Sequence, residues 1–142
     1  MEQEYPKDKP PIPVAAACII QEDPTLRILL QQKAKSRNPE LISKWELPGG
    51  KIEYGETIEG ALQREINEEL GGLTIVVGQL IHAQINSYLS GSYLVLYYIC
   101  HTGYKHTEPD GCKYFTPDQI MRLDCLPGTG SVIFKLVGKK GS

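Results

Sequence analysis

The segment 49–72 constrains the fold more than any other part of the chain, because it combines an amphipathic helix with six glutamates. Thr57 is a residue type that caps helix N-termini, and Gly71 and Gly72 supply the left-handed stop that ends a helix. At about 100° per residue, four apolar side chains between these limits share one face. These side chains are Ala61, Leu62, Ile66 and Leu70. The segment therefore predicts a helix from the Thr57 cap to Leu70 that packs on a core.

Three of the glutamates occupy unexpected positions on this helix. On the same projection, Glu65 and Glu69 fall inside the apolar sector and Glu68 falls at its edge, whereas a merely solvated acidic face would avoid the core. Carboxylates three and four positions apart stand roughly 5–6 Å from each other, so in a partly buried place their repulsion needs a counter-charge. A divalent cation is the simplest counter-charge, and ligands that are all carboxylates favour Mg²⁺ or Mn²⁺ over zinc.

The residues alone leave an alternative to a metal site. Arg64 and Lys51 can pair with these acids as ordinary helix salt bridges, which need no cation. The projection places Arg64 poorly for such pairing, because it lies well away from the apolar sector.

The rest of the chain alternates between strands and turns, without repeats or low-complexity tracts. Strands are predicted over 14–20, 26–32, 45–47, 73–77, 80–88, 93–100 and 113–115. Ser90 and Gly91 predict an antiparallel hairpin between the strands 80–88 and 93–100. Thr116 opens a short helix over 117–123, and the apolar segment 131–137 fits either a helix or a strand.

Composition predicts one ordinary soluble domain. The chain has 142 residues, of which 41% are apolar, and a net charge of -2, so it can bury a core and gives no electrostatic reason to bind duplex nucleic acid. It lacks the roughly 20 consecutive apolar residues that a membrane span needs. Prolines make residues 1–12 an extended lead-in, the domain is expected over 13–137, and 138–142 is expected to be a frayed end.

The N-terminus carries charges and prolines where a signal peptide needs an apolar core, so a cytoplasmic location is expected. The four cysteines are widely spaced without a C-x-x-C pair, so they are expected to stay reduced. Two of them, Cys18 and Cys100, lie in apolar runs where free cysteine packs as a small hydrophobic residue.

Residues 50–72 resemble the signature of the Nudix hydrolases, G-x5-E-x7-R-E-U-x-E-E-x-G-U, in which U is an aliphatic residue. The matching positions are Gly50, Glu56, Arg64, Glu65, Ile66, Glu68, Glu69 and Gly71. The run WELPG that ends at Gly49 also resembles the family. The last position departs from the pattern, because Gly72 stands where an aliphatic residue is expected, and Leu73 is expected to take over its packing role.

The resemblance implies an α/β class protein with the Nudix fold, which is an α/β/α sandwich with a mixed central sheet and a loop-helix-loop catalytic motif. The metal ligands that it implies are Glu65, Glu68, Glu69 and the carbonyl of Gly50. Glu56 is expected to pair with Arg64 and to fix the loop against the helix, and Glu69 is expected to be the most important acid. Mg²⁺, or Mn²⁺ in its place, supplies positive charge while water attacks a phosphorus atom of a phosphoanhydride.

Residues outside the box have alternative roles. Glu108 is a candidate general base from a later loop, but Glu108 and Asp110 fit a solvated turn around Pro109 equally well. Lys33 and Lys51 are candidates to contact phosphate oxygens, although surface lysines are commoner.

A base pocket is expected between the strands that flank the helix, where aromatic side chains can stack on a base. Tyr88, Tyr97 and Trp45 are the candidates, and each of them also fits a packed core. Whether any of the three contacts the base stays open.

Most markers of other branches of the family are absent outside the box; Asn86, for example, lies in a region where the ADP-ribose branch typically has a proline. Tyr88 lies near the position where dinucleoside polyphosphate hydrolases have a tyrosine, but the chain has eight tyrosines, so this match carries little weight. A short domain with WELPGG before its box resembles the MutT-like branch, which cleaves nucleoside triphosphates to the monophosphate and pyrophosphate. The leading hypothesis is therefore a metal-dependent pyrophosphohydrolase of a nucleoside triphosphate, including modified or oxidised ones.

Two further hypotheses stay open beside this one. The chain can hydrolyse another nucleoside diphosphate-linked substrate, namely a dinucleoside polyphosphate, ADP-ribose or a nucleotide sugar. It can also be a catalytically silent Nudix domain that senses a nucleotide, although the intact glutamates favour turnover. In each case the partner is a small nucleotide, no membrane is involved, and the protein is a monomer or a homodimer.

Overall fold

The computed structural model describes residues 9–34, 39–104 and 106–141, and a seven-stranded sheet organises them. The strands are β1 (Ile12–Gln21), β2 (Arg27–Gln32), β3 (Trp45–Glu46), β4 (Gly49–Lys51), β5 (Val76–Tyr88), β6 (Gly91–His101) and β7 (Cys112–Phe115). The helices are α1 (Ile58–Leu70), α2 (Pro117–Ile120) and α3 (Thr129–Gly141), and a 3₁₀ turn spans Pro39–Leu41. Residues 1–8 of the expected lead-in and Ser142 lie outside the described residues.

The strand β1 is the centre of the sheet, because β2, β4 and β6 all pair with it. β6 runs parallel to β1 from Ile12 to Ile19, whereas β4 and β2 pair antiparallel with its beginning and its end. β5 forms an antiparallel hairpin with β6, as predicted, and β3 and β7 pair with β2. The parallel pairing of β1 with β6 among antiparallel pairs makes this the mixed sheet that the resemblance implies.

Successive side chains of β1 point to opposite faces of the sheet. One set packs under α1 together with three helix residues: Ala15, Ala17, Ile19, Leu62, Ile66 and Leu70. The other set packs under α2 and α3: Ala16, Cys18, Ile20, Ile120, Val132, Ile133 and Leu136. Helices therefore cover both faces of the sheet, which is the expected α/β/α sandwich. A strand buried on both faces needs a continuous apolar run, and β1 supplies one.

The predicted helix α1 is confirmed at both ends. The Thr57 side chain accepts a hydrogen bond from the backbone N–H of Gly60, and Gly71 adopts the left-handed conformation that ends the helix. The strand expected over 73–77 begins only at Val76, because Leu73 and Ile75 turn into the core beneath α1 after this stop. Leu73 thus takes the packing role expected of it.

The C-terminal segment 131–137 is helical, because Val132, Ile133 and Leu136 meet the core at helical spacing. The helix extends from Thr129 to Gly141. Within the described ranges, no helix combines the length and the apolarity needed to cross a bilayer.

Candidate active site

Arg64 joins the loop before α1 to the acids of the helix. Its Nε and Nη2 donate to the two carboxylate oxygens of Glu56 at 2.7 and 2.9 Å, and Nη2 also donates to the carbonyl of Lys51 at 3.0 Å. Its Nη1 donates to Glu65 at 2.9 Å and to Glu68 at 3.4 Å. Hydrogen bonds from Arg64 and from the backbone of the loop lower the pKa of Glu56 to about 2. The ion pair that the resemblance implies between Glu56 and Arg64 is therefore present.

The expectation that Arg64 is poorly placed to pair with the acids is wrong. The loop 51–56 folds back over α1 and brings Glu56 to the guanidinium, and the long side chain reaches Glu65 and Glu68 along the helix. The salt bridges raised as an alternative from the sequence are thus formed by Arg64. The contact of Lys51 is different in kind, because its main-chain carbonyl accepts a hydrogen bond from Arg64.

Glu69 contacts β2, where the side-chain amide of Gln31 donates to its Oε2. Glu69 is exposed, although the helical projection places it inside the apolar sector. The projection tells which way a side chain points from the helix axis, but it does not tell how far the sheet extends over that side of the helix. The Glu69 carboxylate is nevertheless partly desolvated. Burial raises the pKa of Glu69 to about 7, and the charges of Glu65 and Glu46 add to this effect while the Gln31 hydrogen bond opposes it. A carboxyl with so high a pKa favours a cation close by.

Glu65 packs directly against Gly50 of β4. A Cβ at position 50 would lie 2.3 Å from the Cδ of Glu65 and 2.5 Å from both carboxylate oxygens. Only glycine therefore leaves room for this carboxylate, whose side chain is 16% exposed. This close packing places the main chain of Gly50 beside the Glu65 carboxylate. The resemblance implies that Glu65 and the carbonyl of Gly50 are both metal ligands.

The donor set at this end of α1 fits Mg²⁺ or Mn²⁺, because it consists of carboxylates beside a close-packed main chain and contains no nitrogen or sulfur ligand. The arrangement of the side chains is not that of a formed site. In the part of the chain that the structure describes, no three His, Cys, Asp or Glu side chains converge as metal ligands. Arg64 holds Glu65 and Glu68, and Gln31 holds Glu69. Each of these hydrogen bonds occupies one carboxylate oxygen, so binding of a cation by all three acids requires their second oxygens to converge.

Two residues of this site, Glu46 and Gln31, received no role from the sequence. They face each other in the antiparallel pairing of β2 and β3. Burial raises the pKa of Glu46, and Lys33, whose Nζ lies 3.3 Å from the carboxylate, partly offsets this rise. Glu46 stands in the WELPG run just before the box, which was a usable signal. Gln31 could not be recognised, because the strand register that places it beside Glu69 cannot be read from the sequence.

A cavity of about 350 Å³ lies next to the carboxylates, with walls from β1, β4, β5, β6 and the loop before α3. Four residues singled out in the sequence line it: Lys33, Lys51, Tyr88 and Tyr97. Trp45 instead packs edge-on against Phe115, with ring centroids 5.0 Å apart. Glu46 lines the cavity, and its charge helps to raise the pKa of Glu69. Gly49 also lines the cavity, and the next residue in the chain is Gly50, which packs against Glu65. The cavity and the acidic cluster are therefore contiguous.

Glu108 lies in the loop before β7, and its carboxylate accepts a hydrogen bond from the backbone N–H of Tyr114. Cys112 faces Gln31 in the antiparallel pairing of β2 with β7. Burial raises the pKa of this thiol to about 11, and the charges of Glu69, Glu108 and Asp110 contribute to the rise. Glu108 and Glu69 therefore both act electrostatically on Cys112, and the carboxylate of Glu108 is hydrogen-bonded to the backbone of β7.

A match to the NUDIX domain family covers residues 11–135, so the chain belongs to the Nudix family. The putative nudix hydrolase 1 of Caenorhabditis elegans is 42% identical over 100 residues, which are 68% of this chain and 26% of that protein. The putative 8-oxo-dGTP diphosphatase 2 of Mycobacterium tuberculosis is 54% identical over 44 residues, 31% of this chain and 30% of that protein. The matches therefore span less than a third of the length of these two curated relatives.

The crystal structure of the C. elegans Ap4A hydrolase shares the fold. It covers 92% of this chain and 99% of its own chain with a TM-score of 0.75, at 16% sequence identity. At this identity the likeness concerns the fold alone.

Proposed function

We propose that the chain is a metal-dependent pyrophosphohydrolase of the MutT-like type, which cleaves a nucleoside triphosphate, including oxidised forms, to the monophosphate and pyrophosphate. The observation that carries the proposal is the contiguity of the cavity and the carboxylates through Glu46 and Gly49. A base between the tyrosines of the cavity leaves its phosphates at the acidic end of α1. The name of the M. tuberculosis relative, an 8-oxo-dGTP diphosphatase, supports a nucleoside triphosphate as the substrate. The proposal includes a cytoplasmic location.

The acids of α1 and Gly50 have one role in this proposal. Glu65, Glu68, Glu69 and the carbonyl of Gly50 would hold Mg²⁺, which when bound supplies positive charge to the phosphate oxygens and lowers the pKa of the attacking water. These three carboxylates lie close to the phosphates of an anionic substrate, and their mutual repulsion disfavours substrate binding unless a cation lies between them.

The other residues position this centre. The two-pronged pair of Glu56 and Arg64 anchors the loop 51–56 to α1 and keeps Gly50 beside Glu65. Lys33 and Lys51 on the cavity wall bring ammonium groups toward the phosphates. Glu108 is a candidate to accept the proton of the attacking water, provided that it gives up its hydrogen bond to β7.

The experiment that tests the proposal measures turnover of a substrate panel with Mg²⁺. The panel contains canonical and oxidised nucleoside triphosphates, ADP-ribose, nucleotide sugars and diadenosine polyphosphates. Glu69→Gln should lower the rate by about 100-fold or more, as loss of a charge-stabilising group does. Glu59→Gln is the matched control, because Glu59 is an exposed acid in the first turn of the same helix.

The outcomes separate the hypotheses. Turnover of triphosphates that Glu69→Gln abolishes and Glu59→Gln leaves unchanged supports the proposal. Cleavage of a linked diphosphate alone shows that the branch is wrong. Metal-dependent nucleotide binding without turnover favours a sensing domain, and a Glu69→Gln variant as active as the wild type refutes the metal site.

A further inference from the structure

A chain of hydrogen-bonded side chains runs along β5 to the cavity. His82, Gln84 and Asn86 occupy alternate positions of the strand and therefore share one face. The Nζ of Lys135, on α3, lies 2.6 Å from the Nδ1 of His82, and the Nε2 of His82 lies 2.7 Å from the Oε1 of Gln84. The Nε2 of Gln84 donates to the Oδ1 of Asn86 at 2.6 Å, and Asn86 lines the cavity. We refer to Lys135, His82, Gln84 and Asn86 as the relay.

The ammonium group of Lys135 fixes the direction of every hydrogen bond in the relay. An ammonium only donates, so the Nδ1 of His82 accepts and its Nε2 carries the proton. Gln84 accepts that proton through Oε1, which leaves its amide N–H groups to donate to Asn86. The acceptor oxygen of Asn86 is thereby occupied, and Asn86 turns its N–H donors toward the carbonyl of Pro127 at 3.4 Å.

The loop before α3 closes over the relay. The ring of Tyr97 lies against His82 with centroids 5.5 Å apart, and its hydroxyl donates to the carbonyl of Pro127 at 3.2 Å. A Cβ at Gly128 would lie 2.0 Å from this hydroxyl, and the φ of +98° also favours glycine there. The contact of Asn86 with Pro127 is the longest in the chain of hydrogen bonds, so it is the one that a ligand acceptor exchanges most readily.

We propose that the relay makes Asn86 a hydrogen-bond donor to the nucleobase, so that the cavity selects bases that present a carbonyl oxygen over bases that present an amino group. Guanine presents an acceptor oxygen at the position where adenine presents an amino donor. The inference rests on the proposed function only in taking the cavity as the base site. Asn86 is the specificity-determining residue, and Gln84, His82 and Lys135 are positioning residues.

The experiment compares the dissociation constants of GMP and AMP by isothermal titration calorimetry without metal, so that it does not depend on turnover. Wild-type protein should bind GMP about tenfold more tightly, because an amino group facing the half-buried Asn86 leaves its N–H donors without an acceptor. Lys135→Met allows His82 to change tautomer and the amides to turn over, so the ratio should fall toward one. Asn86→Asp replaces the donor by an acceptor, so it should reverse the preference.

Two variants serve as controls. Lys135→Arg keeps a cationic donor and should keep the ratio, which a general loss of stability would not do. Lys113→Met removes an exposed lysine on β7 and should leave the ratio unchanged.

Each result decides the inference. A ratio that neither Lys135→Met nor Asn86→Asp changes overturns the relay, and so does the absence of binding of both nucleotides at millimolar concentration. Hydrolysis of triphosphates, measured in parallel, decides the proposed function separately. Selectivity that follows the variants without any turnover keeps the relay and refutes the proposed function, whereas turnover with an unchanged ratio does the opposite.

Discussion

Replacing Glu69 by glutamine is expected to stabilise the metal-free protein above pH 7. Burial, aided by the charges of Glu65 and Glu46, raises the pKa of Glu69 from 4.5 to about 7. Between these two pH values the folded state keeps a proton that the unfolded chain has released, so the free energy of unfolding falls as the pH rises through this window. Glutamine carries no charge and keeps an amide oxygen that accepts from Gln31.

The magnitude follows from the pKa of Glu69. At about 1.4 kcal/mol per pH unit, the rise from 4.5 to about 7 corresponds to at most about 3.5 kcal/mol. Because the residue is exposed, solvent screens much of this cost, and about 1 kcal/mol is expected at pH 8. At pH 4 glutamate is largely protonated in both states, so this difference should vanish.

The assay is urea unfolding of both proteins at pH 4 and pH 8 in the presence of a chelator, followed by the fluorescence of Trp45, the single tryptophan. Adding Mg²⁺ at pH 8 should stabilise the wild type more than the variant, because the cation binds the ionised acid. A Glu69→Gln variant that is no more stable than the wild type at pH 8 without metal would refute the reasoning.

Three further predictions concern the supports of the site. Arg64 lowers the pKa of Glu56 to about 2, so the pair stabilises the fold above pH 4.5 and this contribution is lost as the pH falls toward 2. In the Glu56→Gln variant, stability measured by circular dichroism should therefore depend less on pH over this range. Gly50→Ala should lower the rate about 100-fold while the far-ultraviolet spectrum stays unchanged, because the new methyl group displaces Glu65; an unchanged rate would contradict the packing of Glu65 on Gly50. Gly128→Ala should lower the free energy of unfolding by about 2 kcal/mol or more in urea, because it meets the Tyr97 hydroxyl at a positive φ; a neutral effect would contradict the fit of this loop.

Local rules were sufficient for α1 and for the hairpin. The cap at Thr57, the stop at Gly71 and the apolar face of the helix all follow from positions along one element, so each could be predicted and each is confirmed. The resemblance implied a mixed sheet, but the parallel pairing of β1 with β6 was not predicted, because strands distant in sequence carry no local signal of their partner.

The contacts of the acids could not be predicted, because they depend on side chains from other elements. A helical projection gives the direction in which a side chain leaves the helix, but the final position of a flexible glutamate depends on the hydrogen-bond donors near it. Glu69 accepts from Gln31 on β2, and Glu65 and Glu68 accept from Arg64. The relay was missed for the same reason. His82 received no role from the sequence, because its partner Lys135 lies 53 residues away on α3.

The products formed from a guanine nucleoside triphosphate test the central claim most directly. With Mg²⁺ present, ³¹P nuclear magnetic resonance should show pyrophosphate and the nucleoside monophosphate appearing in equal amounts, since water attacks a phosphorus atom and breaks the anhydride bond between the first and second phosphates. Orthophosphate with the nucleoside diphosphate would contradict the account, and so would the absence of turnover by folded protein.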